Sequence, residues 1–273
     1  MEAVDAGHVP GVVALAADRA GIIFEGDAGC RSLDGSASMT LDTVFWIASF
    51  TKAVTSVAAM QLVEAGRVGL DDPLGSVLPE LRDLQVLEGI DPDGAPRLRT
   101  ARIAVTLRHL LTHTAGYGYD FWDPEIARYM RHTGTPPTRS GDPAAFRVPL
   151  LFDPGTRWHY GINTDLVGRV VAALSGVGLG TYLIRHLFDP LGMADTGFGV
   201  RTDQRDRVVG RHERLPDGHL AAMPFDPPER PDFESGGGGL YSTGPDYLRF
   251  LQALLGGGKL DGVRILGRRQ WPR

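Results

Sequence analysis

The sequence is poor in several residue types, and each shortage excludes a class of protein. Cys30 is the single cysteine among 273 residues, so the chain cannot form an internal disulfide or a thiolate site for zinc or an iron–sulfur cluster. No apolar run approaches the roughly 18 residues of a membrane-spanning helix, and residues 1–11 contain no lysine or arginine. We therefore expect a cytoplasmic protein with no membrane partner.

The sequence also lacks an excess or a cluster of positive charge. The chain carries 28 basic and 33 acidic residues, a formal net charge of -5, spread along its length. Without a basic stripe to displace the counterions of a nucleic acid, we expect no nucleic-acid partner. Lys52 and Lys259 are the two lysines, and every other basic residue is arginine. Because a guanidinium group does not lose its proton in proteins, a retained lysine marks a position where a removable proton is useful.

The remaining composition, 42% hydrophobic and 22% charged, is typical of a globular chain with one large domain or two modest ones. Two apolar runs around the turn at residues 18–21 predict an N-terminal β-hairpin that starts at Gly11. Helices are predicted from Ser49 to Gly66, over 106–112, from Asn163 or Thr164 to Gly176, over about 181–188, and from Pro245 to Gly256. A hairpin followed mainly by helices predicts an α+β fold rather than alternating βαβ units.

Ser49 and Lys52 form a Ser-x-x-Lys pattern at the start of the first long helix. Residues three apart lie on one face of a helix, so the hydroxyl and the amine can approach each other. A serine hydroxyl is a weak nucleophile and needs a base beside it, which a lysine in a dry pocket can supply because burial lowers the pKa of an amine. The alternative is a plain helix start with an exposed lysine, since the pattern is short. The apolar helix favours the functional interpretation, because an unpaired ammonium would be costly there.

Four ordered segments carry a resemblance that covers nearly the whole chain. They read TVFWIASFTKAVTSVAAMQLVEAGRVGLDDPL, VTLRHLLTHTAGYGYD, WHYGINTDLVGRVVAALSG and GGGGLYSTGPDYLRFLQALL. In this order they resemble the serine β-lactamase and penicillin-binding-protein superfamily, and most of all its class C-like members and the family VIII carboxylesterases. By that resemblance Ser49 is the acylated nucleophile, Lys52 its proton partner and Tyr160 the general base. A phenol, whose pKa is normally near 10, can act as a base where an ammonium favours its phenolate, and which of the pair holds the proton stays open.

The resemblance also implies the architecture. One β-lactamase-like domain would occupy 1–273, with an α/β part over 1–70 and about 190–273 and a helical part over about 71–189. In the superfamily a late strand with Lys-Thr-Gly, or a variant with Trp or His, supplies the second oxyanion donor. Lys259 is followed by Leu-Asp-Gly, and no such motif occurs before Arg273. We therefore expect a domain truncated at its C-terminus, with that second donor beyond residue 273.

The residues after Tyr160 depart from the superfamily pattern Tyr-Ser/Ala-Asn, because Gly161 and Ile162 follow. Ile162 lacks the amide that β-lactamases direct at the amide side chain of their substrate, and Asn163 is interpreted as a helix cap. We therefore expect a serine hydrolase, a carboxylesterase, that cleaves small or short-acyl esters through acyl-Ser49. Its partner is a small-molecule ester or amide. The alternatives are a β-lactamase or D-amino-acid peptidase, and an inactive fragment or ligand-binding pseudo-enzyme.

Three further motifs have structural interpretations. His109 and His113 are four residues apart as in a zinc helix, but no glutamate or third ligand accompanies them, so we expect no metal and no cofactor. The Gly236–Gly239 run lacks the lysine of a phosphate loop and is interpreted as flexible or closely packed backbone. The aromatic residues after the histidines either wall an acyl pocket or anchor their loop: Tyr117, Tyr119, Phe121 and Trp122.

Overall fold

The computed structural model describes residues 2–35 and 37–267, which form two compact units. The first unit comprises Met1–Ile47, Ile184–Arg230 and Leu240–Arg273, and the second comprises Ala48–Leu183 and Pro231–Gly239. The chain first passes from one unit to the other after Ile47, earlier than the end of the α/β part expected at residue 70. The division of the domain into an α/β part and a helical part stays a prediction.

Within the described residues, ten short strands pair into five two-stranded antiparallel sheets. The strands are β1 Gly11–Ala17, β2 Ile22–Gly29, β3 Phe45–Trp46, β4 Gln85–Ile90, β5 Pro96–Thr100, β6 Arg211–Arg214, β7 Leu220–Met223, β8 Tyr241–Ser242, β9 Lys259–Leu260 and β10 Val263–Arg264. The α-helices are α1 Glu2–Asp5, α2 Thr51–Glu64, α3 Leu107–Leu111, α4 Pro124–Thr133, α5 Asn163–Ser175, α6 Leu179–Leu183, α7 Asp189–Leu191 and α8 Gly244–Leu255. This mixture of helices and strands confirms the predicted α+β class.

The N-terminal hairpin of the first unit confirms the sequence prediction. Strands β1 and β2 pair with Gly11 opposite Gly29, and the side chains of β1 alternate between exposed and half-buried positions. Helix α8 packs on β1 so closely that a Cβ at Gly244 would lie 2.5 Å from Leu15 Cδ1. One face of β1 is therefore half-buried against a helix, which gives the two-stranded sheet the packing partner it needs in water.

The helices α2 and α5 pack against each other and form the core of the second unit. Their buried apolar residues recur three or four positions apart, which gives each helix an apolar face. These residues are Val54, Val57, Ala58 and Leu62 in α2 and Leu166, Val167, Val170 and Val171 in α5. Gly66 and Gly176 follow the two helices with φ of 66° and 74°, the left-handed conformation expected after a helix end. Ser49 lies just before α2 and Tyr160 just before α5, so this packing positions both residues.

Three hairpins, β4–β5, β6–β7 and β9–β10, were not predicted, because the sequence analysis assigned the chain after the first hairpin mainly to helices and loops. The pair β4–β5 turns through Asp91, whose N–H donates to Ala95 O over 2.9 Å, and Gly94 has φ of 93°. An irregularity between Leu87 and Gly89 interrupts the register, so β4 lacks a clean period of two. The pair β6–β7 was missed in the same way.

The helix expected over about 181–188 is present in a different form. Helix α6 ends at Leu183, and the π-helical turn Ile184–Phe188 connects it to α7. Among the described residues no single helix is long and apolar enough to cross a membrane; the bent pair Asn163–Ser175 with Leu179–Leu191 passes by length and composition only. The sequence analysis expected a domain truncated at its C-terminus, with no late-strand motif before Arg273. Residues 268–273 lie outside the described residues, so this expectation stays a prediction.

Candidate active site

Ser49 lies in a short 3₁₀ turn, Ala48–Phe50, that leads directly into α2. The preceding residue, Ala48, has φ of 44°, in the left-handed region that costs a non-glycine residue about 1–2 kcal/mol. This turn leaves Ser49 exposed, whereas Thr51, two residues later, is fully buried. The backbone therefore presents an accessible hydroxyl on a tightly constrained segment.

Two polar groups contact the Ser49 hydroxyl. Lys52 Nζ donates to Ser49 Oγ over 3.3 Å, and Tyr160 OH donates to the same atom over 2.9 Å. Lys52 Nζ also lies 4.8 Å from the centroid of the Tyr160 ring, within cation–π range. The structure thus brings together the three residues that the resemblance assigns to acyl transfer. Their catalytic roles stay a prediction.

The Lys52 ammonium finds an acceptor for each of its three donors. Besides Ser49 Oγ, Nζ donates to the Tyr119 hydroxyl over 3.3 Å and to the Gly237 carbonyl over 2.5 Å. Lys52 is half-buried, and these acceptors replace the water that burial removes from the charge. The amine is therefore held in one place beside the Ser49 hydroxyl.

Asp165, a buried carboxylate in the first turn of α5, is hydrogen-bonded to both Tyr119 and Gly237, the residues that accept from Lys52. Ser235 Oγ and the Gly237 N–H donate to Asp165 Oδ1 over 2.5 Å and 2.9 Å, and Tyr119 OH donates to Oδ2 over 3.4 Å. Burial raises the pKa of the Asp165 carboxyl, and the three donors and the Lys52 charge oppose that rise. Burial also raises the pKa of the Tyr119 hydroxyl, so this group stays protonated and able to donate.

Aromatic rings surround Tyr160. The ring centroids of His113, Trp122 and Trp158 lie 4.7 Å, 5.6 Å and 6.3 Å from that of Tyr160. Desolvation and then the Lys52 charge lower the pKa of His113 to about 4, so the imidazole is neutral at neutral pH. Its Nδ1 accepts a hydrogen bond from Asn163 Nδ2 over 3.0 Å. A neutral, hydrogen-bonded imidazole therefore supports the Tyr160 ring.

Two glycines permit close backbone approaches in the site. A Cβ at Gly161 would lie 2.2 Å from the Tyr117 carbonyl oxygen, so the serine or alanine of the pattern Tyr-Ser/Ala-Asn does not fit after Tyr160. A Cβ at Gly237 would lie 2.4 Å from Asp165 Oδ2, so glycine lets the carboxylate reach the backbone N–H. At Gly237 the Gly236–Gly239 run is therefore closely packed backbone, which is one of the two interpretations given from the sequence.

The interpretation of Asn163 as a helix cap was wrong. Ile162 is the N-cap residue, and Asn163 is the first residue of α5, fully buried with its amide bonded to His113. A cap would accept through the side-chain oxygen, but Asn163 Oδ1 has no hydrogen-bond partner in the described part of the chain, and its amide nitrogen is directed at His113. His109 has a separate task, because its Nδ1 accepts from the Thr106 N–H over 3.3 Å at the start of α3. Within residues 2–35 and 37–267, no group of three or more His, Cys, Asp or Glu side chains is placed to hold a metal ion.

The aromatic residues that follow the histidines have different positions. Tyr117 is fully buried and belongs to the core, whereas the Tyr119 hydroxyl joins the polar network at Lys52. Phe121 and Trp122 are exposed beside these residues. The sequence analysis missed the polar role of Tyr119 and missed Asp165 altogether. The available signal for Asp165 was an acidic residue at the start of a helix whose buried face is otherwise mainly apolar.

A serine hydroxyl held between a lysine amine and a tyrosine phenol is the arrangement of a nucleophilic-serine site, in which a base adjoins the nucleophile. Comparison with known proteins agrees with this class. The model of the Beta-lactamase family matches residues 1–273, and the chain belongs to that family. The predicted β-lactamase-like fold is thereby confirmed.

Named relatives are an esterase and an acyltransferase. The lovastatin esterase of Penicillium rubens is 36% identical over 263 residues, which cover 93% of this chain and 66% of the relative. The monacolin J acid methylbutanoyltransferase of Aspergillus terreus is 34% identical and covers 97% of this chain and 66% of its own length. The solved structure of simvastatin synthase from Aspergillus terreus, LovD6 mutant, has a TM-score of 0.85 at 32% identity and covers 97% of this chain and 64% of that one. The chain spans about two thirds of the length of these relatives.

Proposed function

We propose that this chain cleaves small or short-acyl carboxylic esters through a covalent acyl-Ser49 intermediate. The observation that carries the proposal is the pair of hydrogen bonds at Ser49 Oγ, from Lys52 Nζ over 3.3 Å and from Tyr160 OH over 2.9 Å. A base within hydrogen-bond reach is what a serine hydroxyl needs to attack a carbonyl group. The 36% identity to a lovastatin esterase supports ester chemistry.

The reaction has two steps. First, Ser49 Oγ attacks the ester carbonyl carbon, its proton passes to the Lys52–Tyr160 pair, and the bond to the leaving alcohol breaks as the pair protonates that alcohol. Second, water attacks acyl-Ser49 and gives its proton to the same pair. The pair returns the proton to Ser49 Oγ as the carboxylic acid leaves.

A second candidate is transfer of the acyl group from Ser49 to an alcohol other than water. The specific observation is that Phe50, Trp122 and Trp158 are each 65% exposed. Trp122 and Trp158 pack beside Tyr160, and Phe50 directly follows Ser49 in the chain. An apolar alcohol bound on these rings would compete with water for the acyl group. The 34% identity to a methylbutanoyltransferase supports this candidate.

Ester cleavage is favoured over β-lactam hydrolysis by the residues after Gly161. Ile162 is apolar and fully buried, and the Asn163 amide nitrogen is bonded to His113. Both side chains are fully buried, so neither is accessible to the amide side chain of a β-lactam.

The test is a parallel assay of the purified chain with a chromogenic short-chain ester and a chromogenic cephalosporin. We expect ester turnover, and one fluorophosphonate adduct per chain by intact mass, which Ser49→Ala abolishes. Ser56→Ala is the matched control, because the Ser56 hydroxyl donates to the Lys52 carbonyl over 2.7 Å on the same helix. Absence of both an adduct and turnover would contradict the proposal. A new ester formed when an apolar alcohol is added would support the transfer reaction.

A further inference from the structure

The Asp165 carboxylate is 3% exposed, and its direct hydrogen-bond donors are uncharged groups. These are the Ser235 hydroxyl, the Gly237 N–H and the Tyr119 hydroxyl. A carboxylate removed from water is costly to keep ionised unless a positive charge lies close by. The nearby positive charge is Lys52, which acts on Asp165 electrostatically.

Two short routes connect Asp165 to Lys52. On the first, Tyr119 OH donates to Asp165 Oδ2 over 3.4 Å and accepts from Lys52 Nζ over 3.3 Å. On the second, the Gly237 N–H donates to Asp165 Oδ1 over 2.9 Å, and the carbonyl of the same residue accepts from Lys52 Nζ over 2.5 Å. Each route ends on one of the three ammonium donors of Lys52, so Asp165 fixes the directions of two of them.

The second route depends on the placement of the segment around Gly237. Ser235 Oγ donates to Asp165 Oδ1 over 2.5 Å, and Thr55 Oγ1 donates to the Gly236 carbonyl over 2.8 Å. The glycine at 237 lets this segment approach Asp165, because a Cβ there would lie 2.4 Å from Oδ2. The segment is thus anchored between α5 and α2, with one carbonyl directed at Lys52.

The titratable side chains that face Lys52 are Tyr119, Tyr160, His113 and Asp165. His113 is neutral at neutral pH, since desolvation lowers its pKa to about 4. Tyr119 is protonated, since burial raises its pKa. Asp165 is the carboxylate of this group, and ionised carboxylates favour a nearby ammonium over the free amine.

We infer that Asp165 is a positioning residue for Lys52. Its carboxylate holds the Tyr119 hydroxyl and the Gly237 carbonyl on Lys52 Nζ, and these two contacts keep Nζ directed at Ser49. The inference rests on the proposed function, because it takes Lys52 as the proton partner of Ser49. It adds a buried fourth residue to the three predicted from the resemblance.

The chain offers a direct measurement, because Lys52 and Lys259 are its two lysines. Protein labelled with ¹³C at the lysine ε-carbon gives one signal for each, and Lys259→Arg assigns them. The titration of the Lys52 signal is followed in the wild type and in Asp165→Asn, which keeps the shape and removes the charge. The exposed Lys259 is an internal reference.

We expect a lower titration midpoint for the Lys52 signal in Asp165→Asn than in the wild type, because the amine loses a nearby opposite charge. Glu234→Gln is the matched control: its carboxylate accepts from the Gly180 N–H over 2.8 Å on the same segment, outside the Lys52 network. That variant should leave the midpoint unchanged. Ser235→Ala loosens the segment but keeps the charge, so it should shift the midpoint much less than Asp165→Asn. Equal midpoints in Asp165→Asn and wild type would overturn the inference.

A second measurement applies even where Asp165→Asn fails to fold. Lys52→Met removes the positive charge and leaves Asp165 buried, so the melting temperature at pH 7 should fall by several degrees. Acidification should restore part of this loss. The folded state then takes up a proton on Asp165 at a higher pH than the unfolded state does, so the folded form is favoured as the pH falls.

An unchanged melting temperature in Lys52→Met, with no gain on acidification, would also overturn the inference. Neither measurement needs turnover. A failed Asp165 inference is therefore distinct from a failed hydrolase proposal, which the absence of a Ser49 adduct reports.

Discussion

Asp153 and Asp165 are both buried carboxylates of the second unit, but their pKa values shift in opposite directions. Arg99 binds Asp153 through two hydrogen bonds of 2.9 Å and 2.8 Å, and the Arg102 N–H adds a third of 2.9 Å. These contacts lower the pKa of Asp153 to about 2, with the Arg99 hydrogen bonds as the largest cause. Burial instead raises the pKa of Asp165, whose direct donors are hydroxyls and a backbone N–H.

This difference distinguishes an ion pair that stabilises the fold, at Asp153, from the polar network of the candidate active site, at Asp165. A bidentate arginine fixes the charge and geometry of Asp153 and leaves nothing mobile to exchange a proton. Asp165 reaches its cation through intermediate groups, so Lys52 remains in contact with Ser49 as well. Substitutions that keep the charge and packing around Ser49 should therefore alter turnover with little effect on stability, and changes around Asp153 should do the reverse.

The largest effect is expected for Lys52→Arg. The variant keeps the positive charge, but a guanidinium group does not release its proton and cannot take part in proton transfer. We therefore expect kcat to fall by about 10³-fold or more. Lys259→Arg, the matched substitution of the other lysine, should retain the wild-type rate. Steady-state kinetics on the chromogenic ester measure both. A Lys52→Arg variant with normal kcat would remove lysine from the proton relay.

Tyr160→Phe should cost about 10²-fold in kcat, as the loss of a general base does, and leave the melting temperature within about 2 °C of the wild type. The ring and its packing against His113 and Trp122 are retained in this variant. Tyr129→Phe, on α4, is the control for loss of a phenol hydroxyl elsewhere. If Tyr160→Phe melts much earlier and turns over normally, Tyr160 is structural and the contrast between the two regions fails.

Asp153→Asn tests the other side of the comparison, with an expected loss of several degrees in melting temperature and unchanged kcat. Because the folded pKa of Asp153, about 2, lies below the ordinary value of 3.8, its contribution to stability is present above pH 3.8 and is lost as the pH falls towards 2. Thermal melts of wild type and variant should therefore converge in acid. Asp71→Asn is the control, because the Asp71–Arg108 pair is exposed on both sides and should contribute little. A fall in kcat in Asp153→Asn would contradict the assignment of Asp153 to stability alone.

The smallest effect is expected at His113, which touches the site but is not part of an ion pair. Its pKa falls from 6.5 to about 4 on folding, so the unfolded chain takes up the proton first and stability declines as the pH falls from 6.5 to about 4. His113→Gln should flatten this part of the pH dependence of the melting temperature. His132→Gln, at an exposed position on α4, should not. An unchanged slope in His113→Gln would mean that other groups control stability in this range.

Some features follow from local sequence because the forces that produce them are local. Periodic apolar residues fix the course of α2 and α5, turn residues fix the first hairpin, and glycines mark both helix ends. Ser49 and Lys52 are three residues apart at the start of a helix, so their proximity was predictable without any tertiary contact. The order of four segments was sufficient to predict the β-lactamase-like fold.

The rest depends on contacts between residues that are distant in sequence. The Tyr160–Ser49 hydrogen bond spans 111 positions and the Ser235–Asp165 bond spans 70, so both exist only because α2, α5 and the 231–239 segment pack together. Asparagine is a common N-cap residue, but Asn163 lies inside α5 and its amide contacts His113, a residue 50 positions away in the sequence. Local sequence determined the proximity of the Ser49 hydroxyl and the Lys52 amine. Tertiary packing decided the phenol, the buried carboxylate and the neutral imidazole that surround them, because a side chain's protonation depends on what burial places next to it.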